Sequence, residues 1–247
     1  MVELTRAFRQ TDQQSVGLLG NIREGKDVEH TLELLNGICD ITDTPPPGAV
    51  WLSPRHVDVD KVNLRRLGDL TGRSRTYVGT VTGEFPENNL PVPRSLTLKE
   101  GAQVVLVNNA DEWVNGTVAI VVAMFDDCVK VKLVSSGQTV RVPMETWKQS
   151  NYTINADHGN IDRVEVGTYT QIPMILAWGM TIHKSQGMTL DPVHLDLGAG
   201  AFAAGQTYVA LSRCRTLLRT TLTRPVQPGD IRVDLEAVAF YDEMRRF

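Results

Sequence analysis

The sequence predicts an α/β fold with a doubly wound parallel sheet, interrupted by a small inserted β domain. Helix-type and strand-type segments alternate near the amino end and again after residue 170. Between these two regions, five short β-type runs follow one another in fewer than 70 residues. We therefore predict an α/β domain formed by residues 1–75 and 161–247, with an inserted β domain at residues 76–160.

Composition is that of a folded protein. The 247 residues are 42% hydrophobic and 22% charged, which is enough apolar material for a core and argues against global disorder. The net charge of −4 argues against a generally basic surface that would coat nucleic acid. A local basic track is still compatible with it, because ligands respond to the local field.

Cysteine usage and hydropathy point to the cytoplasm. The three cysteines are widely spaced and show no metal-ligand spacing, so we expect reduced thiols and no metal site. The first residues lack the apolar centre of a signal peptide. No window is apolar for the roughly 18 residues of a membrane helix. We expect a cytoplasmic protein without a membrane partner.

The elements before residue 76 follow from capping residues and apolar spacing. A helix is expected at 11–25, where Asp12 can cap the first turn. A second is expected at 27–37, with Asp27 as its cap and Gly37 as its end. After these come a proline-rich loop at 42–48, a buried strand at 49–53 and a helix at 58–70.

The central region consists mainly of short strands, whereas the final region alternates strands with helices. Strand-type runs occur at 76–85, 103–109, 117–125, 128–134 and 138–143, and a helix-like stretch is centred on residues 144–149. Later come a strand at 171–177, a short helix from 181, a strand at 192–197, a helix at 203–213 and a strand at 217–223. Such βαβ alternation predicts the parallel sheet.

A possible phosphate-binding loop at residues 20–27 does not fit its motif. "GNIREGKD" resembles GxxxxGK[ST], but Asp27 occupies the hydroxyl position, where a carboxylate would lie close to the phosphates. Gly25 is also better explained as a helix end than as a helix start. No other segment supplies such a loop or the paired acids that hold magnesium.

The stretch "TIHKSQG", residues 181–187, is the first candidate site. It follows a buried strand, and ligands of doubly wound sheets bind beyond the carboxyl ends of strands. Thr181 can cap the new helix and leave backbone N–H groups pointing outward, which makes an anion site beside His183 and Lys184. The alternative is an ordinary capped helix whose two cations are solvated.

Two arginines are further candidates. In "GQTYVALSRCR", residues 205–215, Gln206 and Arg213 are seven positions apart and would share one helix face. Arg213 either points at a fixed anion or reaches solvent at a helix C-terminus. Arg9 lies beside Phe8, which could hold it in a fixed direction; a solvated surface charge is the alternative.

Five blocks together resemble superfamily-1B DNA helicases of the Pif type, with RecD as a more distant relative. They lie at residues 4–25, 96–109, 114–121, 177–198 and 205–217. The resemblance implies a RecA-like sheet of the P-loop NTPase type and an SH3-like β-barrel as the insertion. It also implies that the chain is the second RecA-like domain of a longer protein.

The resemblance implies an ATP-driven enzyme that unwinds DNA in the 5′→3′ direction. ATP and Mg²⁺ would bind between this domain and a first RecA-like domain that the chain lacks, so the chain alone would hold no cofactor and would be inactive. The implied partners are that first domain, single-stranded DNA and the DNA fork.

Individual roles follow from the helicase motifs. Arg9 and Arg213 would touch the γ-phosphate as arginine fingers, and Gln206 would support Arg213. Nearer the nucleotide would lie Gln186 and Gly187. The residues expected on the DNA backbone are Thr181, His183, Lys184 and Ser185, extended by Arg55 and His56.

Some questions stay open at this point. Trp113 could stack on a base at the fork or pack inside its own small barrel. Instead of a helicase part, the chain could be a non-catalytic DNA-binding module with relict motifs, or the helicase portion of a conjugative relaxase. A phosphate loop encoded upstream would favour the helicase over the binding module.

Overall fold

The computed structural model describes residues 9–10, 12–154 and 161–244. Its helices are α1 (Gln13–Glu24), α2 (Val28–Ile38), α3 (His56–Asp69), α4 (Gln206–Leu211) and α5 (Leu235–Met244). Its strands are β1 (Asp40–Ile41), β2 (Val50–Ser53), β3 (Ser74–Val78), β4 (Thr80–Gly83), β5 (Ser95–Lys99), β6 (Gln103–Leu106), β7 (Val118–Met124), β8 (Cys128–Leu133), β9 (Thr139–Pro143), β10 (Glu145–Ile154), β11 (Ile161–Gln171), β12 (Met174–Leu176), β13 (Gly179–Thr181), β14 (Val193–Leu195) and β15 (Thr220–Leu222). Short 3-10 helices lie at Glu87–Asn89, Leu217–Arg219 and Pro228–Asp230.

The chain forms two compact units. The first combines Met1–Arg66 with Ala177–Phe247, and the second is Leu67–Leu176. Residues 67–75 and 161–176, which the sequence analysis assigned to the α/β domain, thus fall in the second unit. The reason is strand pairing: β3 pairs with β5, and β11 pairs with β10 and β4, so both segments belong to the antiparallel sheets.

The first unit contains the predicted parallel sheet. Five strands lie in the order β1-β15-β14-β2-β13, and every neighbouring pair is parallel. Leu52 and Leu195 on neighbouring strands are almost fully buried, as expected for a parallel sheet covered on both faces.

The first two helices follow the predicted scheme with two corrections, both at α2. The Asp12 side chain accepts a 2.6 Å hydrogen bond from the Ser15 N–H and caps α1. Asp27 also precedes its helix, but its backbone is left-handed and its side chain makes no cap bond. Gly37 does not end α2, because the Cys39 N–H still bonds to the Leu35 carbonyl.

The second unit is all β except for one short 3-10 helix and the end of α3, within the described residues. Its sheets have the orders β12-β6-β7-β8-β9, β10-β11-β4 and β3-β5, all antiparallel. Trp113 is buried here, and its Nε1 donates a 3.0 Å hydrogen bond to Asn108 Oδ1. Its ring is therefore part of the unit's packing, not a free surface for a base.

The predicted helix-like stretch at 144–149 is wrong. These residues start β10, which pairs with β11 from Glu145 opposite Gln171 to Ile154 opposite Ile161. Trp147 stacks on Tyr169 across the two strands, with 5.8 Å between ring centroids. Such cross-strand pairs stabilise a sheet and override a weak local preference. Strand β5 was not predicted at all.

Membrane-spanning helices, metal clusters and disulfides are all absent from the described residues. None of their helices combines the length and apolarity needed to cross a bilayer. They also contain no cluster of three or more His, Cys, Asp or Glu side chains that could hold a metal. The three cysteines are free and buried, and burial raises the pKa of the Cys39 and Cys214 thiols to about 12.

Candidate nucleotide and nucleic-acid site

The turn at residues 182–187 lies where two parallel strands end together. Ser53 of β2 is opposite Thr181 of β13, and the Ile182 N–H donates a 3.0 Å hydrogen bond to the Ser53 carbonyl. The segment after β2, which leads into α3, therefore starts at the same sheet edge as this turn. That edge is where doubly wound folds bind their ligands.

A short helix was predicted from residue 181, and this is wrong. Six consecutive residues form turns instead. The Ser185 N–H bonds to the Thr181 carbonyl over four residues, but the next bonds, from Gln186 to His183 and from Met188 to Ser185, span only three. Gly187 then takes a positive φ of 80°, which ends the turn without steric cost.

The two hydroxyl residues of this turn face inward. Thr181 Oγ1 accepts a 3.2 Å hydrogen bond from the Lys184 N–H, and Ser185 Oγ donates a 2.6 Å bond to the Ile182 carbonyl. Both side chains are buried. They shape the turn, which leaves the outer surface to His183, Lys184 and Gln186.

Basic side chains collect on the exposed side of the edge. His183 and Lys184 are exposed on the turn, and Arg55 and His56 are exposed where α3 begins. Although part of Lys184 reaches solvent, burial of its ammonium group lowers its pKa, and Asp60 opposes that shift. A cation that is partly stripped of water gains more from an anion than a fully hydrated one.

Asn63 fixes α3 against β13. Its Nδ2 donates to the Gly179 carbonyl and its Oδ1 accepts from the Gly179 N–H, both at 2.8 Å. A Cβ at position 179 would lie 3.0 Å from Trp51 Cε3 and 3.6 Å from the Val59 Cα. The Trp51 ring on the neighbouring strand thus leaves little room for a Cβ at position 179, while the two Asn63 bonds hold α3 against β13.

Arg213 is buried behind the turn. It is only 7% exposed. Its Nε donates to the Val209 carbonyl and its Nη2 to Ser212 Oγ, both at 2.7 Å. Longer contacts of 3.4 Å join Nη1 to the carbonyls of Ser185 in the turn and of Met188 directly after it. The guanidinium therefore touches the same segment that carries the exposed cations.

The charge of Arg213 has no carboxylate among these hydrogen-bond partners, as far as the described residues go. Burial lowers its pKa to about 10, and the nearby charge of Arg9 adds to this effect. It still carries its charge at pH 7. Buried arginines are normally paired, so the arrangement is chemically suited to an incoming anion.

Two expectations for the α4 region need correction. The helix ends at Leu211, so Arg213 lies beyond it and does not share a helical face with Gln206. The Gln206 side chain instead accepts a 3.0 Å hydrogen bond from the Phe202 N–H. Arg213 is also not the solvated surface charge that was the alternative.

Arg9 and Arg213 come together although more than 200 positions separate them. Arg9 Nε donates to Thr189 Oγ1 at 3.1 Å, and its Nη1 donates to the Ser212 carbonyl at 3.2 Å. Phe8, expected to direct Arg9, lies outside the described residues. Sequence reasoning missed Gln10 and Thr189; the position of Gln10 beside Arg9 was the available signal.

The chain resembles known proteins in both sequence and structure. No family model matches it. It is 34% identical to human ATP-dependent DNA helicase PIF1 over 99% of this chain, which is 38% of that protein. It is 32% identical to ATP-dependent DNA helicase Pif1 of Bdellovibrio bacteriovorus over 98% of this chain and 54% of that protein. The structure of Bacteroides sp Pif1 in complex with ADP-AlF4 matches with a TM-score of 0.88 and 32% identity, over 99% of this chain and 56% of that one.

The chain is homologous to the Pif1 DNA helicases. The match to Pif1 structures identifies the fold of the parallel-sheet unit as RecA-like. Another match is Bacteroides Pif1 bound to ssDNA, with a TM-score of 0.64, 32% identity and coverage of 98% of this chain and 56% of that one. The chain spans between about two fifths and just over half of these Pif1 proteins.

Proposed function

We propose that the chain is the C-terminal part of an ATP-dependent 5′→3′ DNA helicase, supplying arginine fingers to ATP and part of the single-stranded DNA track. The observation that carries this proposal is that Arg9 lies close to the buried Arg213, which has no carboxylate among its described hydrogen-bond partners. The homology to Pif1 helicases supplies the reaction class.

On the nucleotide side, the two guanidinium groups would stabilise the charge that develops on the γ-phosphate. Arginine fingers of this kind contribute roughly 10³–10⁵ in rate. The phosphate loop and the acids that hold Mg²⁺ would come from a first RecA-like domain. Gln186 and Gly187, exposed at the end of the turn, would lie towards the nucleotide.

On the DNA side, the exposed basic side chains of the two neighbouring segments would follow the phosphate backbone. Lys184 and His183 contribute from the turn, and Arg55 and His56 from the start of α3. Thr181 and Ser185 would act indirectly by holding the turn in shape. Backbone contacts of this kind bind single strands without reading their sequence.

The same turn offers a physical route between the two sides. The carbonyls of Ser185 in the turn and of Met188 directly after it accept from Arg213, and its outer surface carries Lys184. A shift of the turn on ATP binding would therefore move a DNA contact. Two sites that bias one small element in this way are coupled.

For the second unit, we propose an SH3-like β-barrel that acts as a wedge at the DNA fork. Its support is the five-stranded antiparallel sheet and the long β10–β11 pair. The structural limits of this unit, 67–176, would replace the limits of 76–160 that the sequence suggested.

The test of this function is Arg213→Ala in the full-length polypeptide. We expect ATPase activity to fall by about 10³–10⁵, whereas the affinity for single-stranded DNA stays within twofold or so of the unaltered protein. The matched control is Arg23→Ala, since Arg23 is exposed on α1 and forms a salt bridge with its neighbour Glu24 on the same surface. Arg213 is not a finger if DNA binding falls as far as ATPase activity.

A non-catalytic DNA-binding module is the second candidate. It would use the exposed basic side chains of the turn and of the start of α3, such as Lys184 and Arg55, and would not need the fingers. The full-length polypeptide decides between the two: ATP turnover stimulated by single-stranded DNA excludes the binding module.

A further inference from the structure

Gln10 contacts the backbone on both sides of Arg213. Its Nε2 donates a 3.2 Å hydrogen bond to the Ser212 carbonyl and another of 3.2 Å to the Cys214 carbonyl. The side chain is half-buried. No other described side chain donates to carbonyls on both sides of Arg213 in this way.

These carbonyls need a donor from outside the helix. The α4 helix ends at Leu211, and the last four carbonyls of any helix, like those just after it, lack the partner that a further turn would provide. Gln10 supplies two N–H groups at this place. It thereby serves as a side-chain cap for the chain that leaves α4.

The chemistry fixes which end of the amide points inward. Two carbonyl oxygens are acceptors, so only the NH₂ group of Gln10 suits them, and the amide oxygen would be repelled. The Ser212 carbonyl also accepts from Arg9 Nη1 at 3.2 Å, which its second lone pair allows. Gln10 and Arg9 thus converge on the residue that precedes Arg213.

Arg213 depends on this backbone for its direction. Its own carbonyl accepts a 3.0 Å bond from the Leu190 N–H, and its Nη2 bonds to the Ser212 side chain. If residues 212–214 shift, the guanidinium shifts with them. A displacement of about 1 Å in a catalytic group can cost on the order of 10²-fold in rate.

We propose that Gln10 is a positioning residue for Arg213, which sets the finger's place by holding the carbonyls of Ser212 and Cys214. This rests on the proposed finger function of Arg213. Gln10 itself touches neither nucleotide nor DNA in this scheme. Its loss should therefore lower kcat for ATP hydrolysis and leave KM for ATP nearly unchanged, since the finger acts in the transition state.

The test is Gln10→Met in the full-length polypeptide, because methionine keeps the length of the side chain and cannot donate. We expect kcat to fall by about 10²-fold and KM for ATP to change less than about threefold. The matched control is Gln14→Met, an exposed position on the first turn of α1, which should leave both constants unaltered. An unchanged kcat in Gln10→Met overturns the proposal.

A double variant separates positioning from a general structural role. In single-turnover hydrolysis of radiolabelled ATP, Gln10→Met should add no further loss in an Arg213→Ala background, because the finger it positions is gone. A further tenfold loss there contradicts the proposal. If Arg213→Ala itself leaves hydrolysis unchanged, the finger function fails first, and the two failures are thereby distinguished.

Discussion

Lys184 is the residue through which the proposed DNA track can be measured. It lies exposed on the turn, and burial of its ammonium lowers its pKa. A phosphate nearby would favour the charged form and raise that pKa again. Because a phosphate contact releases counterions from the DNA, the contribution of Lys184 to binding should fall as the salt concentration rises.

We expect Lys184→Ala to weaken binding of single-stranded DNA and to flatten the dependence of log K on log salt by about 0.7, the loss for one phosphate contact. The measurement is a titration with labelled oligonucleotide at several salt concentrations. Lys26→Ala is the control, because Lys26 is exposed beside Glu24 in the loop before α2. An unchanged slope for Lys184→Ala removes this residue from the track.

At the scale of single residues, sequence patterns identify which residue types lie at the site but not which side chains point to solvent. The motif at 181–187 was located correctly at the edge of the sheet, yet nothing in it distinguishes the buried Thr181 and Ser185 from the exposed Lys184. Gln10 could not be connected with Ser212 either, because such contacts across about 200 residues exist only after folding.

The element that holds the site together is the contact between α3 and β13. Asn63 bonds to both backbone groups of Gly179, and the Trp51 ring on the neighbouring strand leaves little room for a methyl group at that glycine. The strand end at Ser53 and Thr181 is then fixed relative to the helix start. This contact therefore sets the spacing between the turn at 182–187 and the start of α3, which carry the basic side chains.

We expect Gly179→Ala to destabilise the chain by about 1–3 kcal/mol, the usual cost of overpacking a core. Gly17→Ala provides a matched comparison, because Gly17 lies in α1 with nothing within 4 Å of its would-be Cβ. That change should stabilise by about 0.5–1 kcal/mol through helix propensity. Urea unfolding of the two variants checks both signs, and equal stabilities contradict the close-packing argument.

Elements were predictable where local signals decided them. The cap and end of α1 follow from Asp12 and Gly25 alone. The stretch 145–149 became a strand because β11 pairs with it. No helix forms after Thr181, because the later backbone bonds there span three residues and Gly187 is left-handed. Partners distant in sequence and single backbone angles cannot be deduced from apolar spacing.

For the whole molecule, the proposed location of the ATP site between two domains predicts that this chain alone is inactive. The chain carries proposed fingers, whereas its sequence offers no fitting phosphate loop. We expect the 247-residue chain alone to hydrolyse ATP no faster than buffer controls. Phosphate release measured with and without single-stranded DNA tests this, and turnover that disappears in Arg213→Ala contradicts it.

The buried thiols have a practical consequence for following this molecule in motion. Maleimides react with thiolates, and Cys39 and Cys214 are shielded from solvent with a pKa near 12, while Cys128 is equally enclosed. A cysteine introduced at Leu64, which is 68% exposed on α3, would thus be the preferred point of attachment for a dye. The single substitution Leu64→Cys would therefore allow site-specific attachment of a fluorescent dye without removal of any native cysteine.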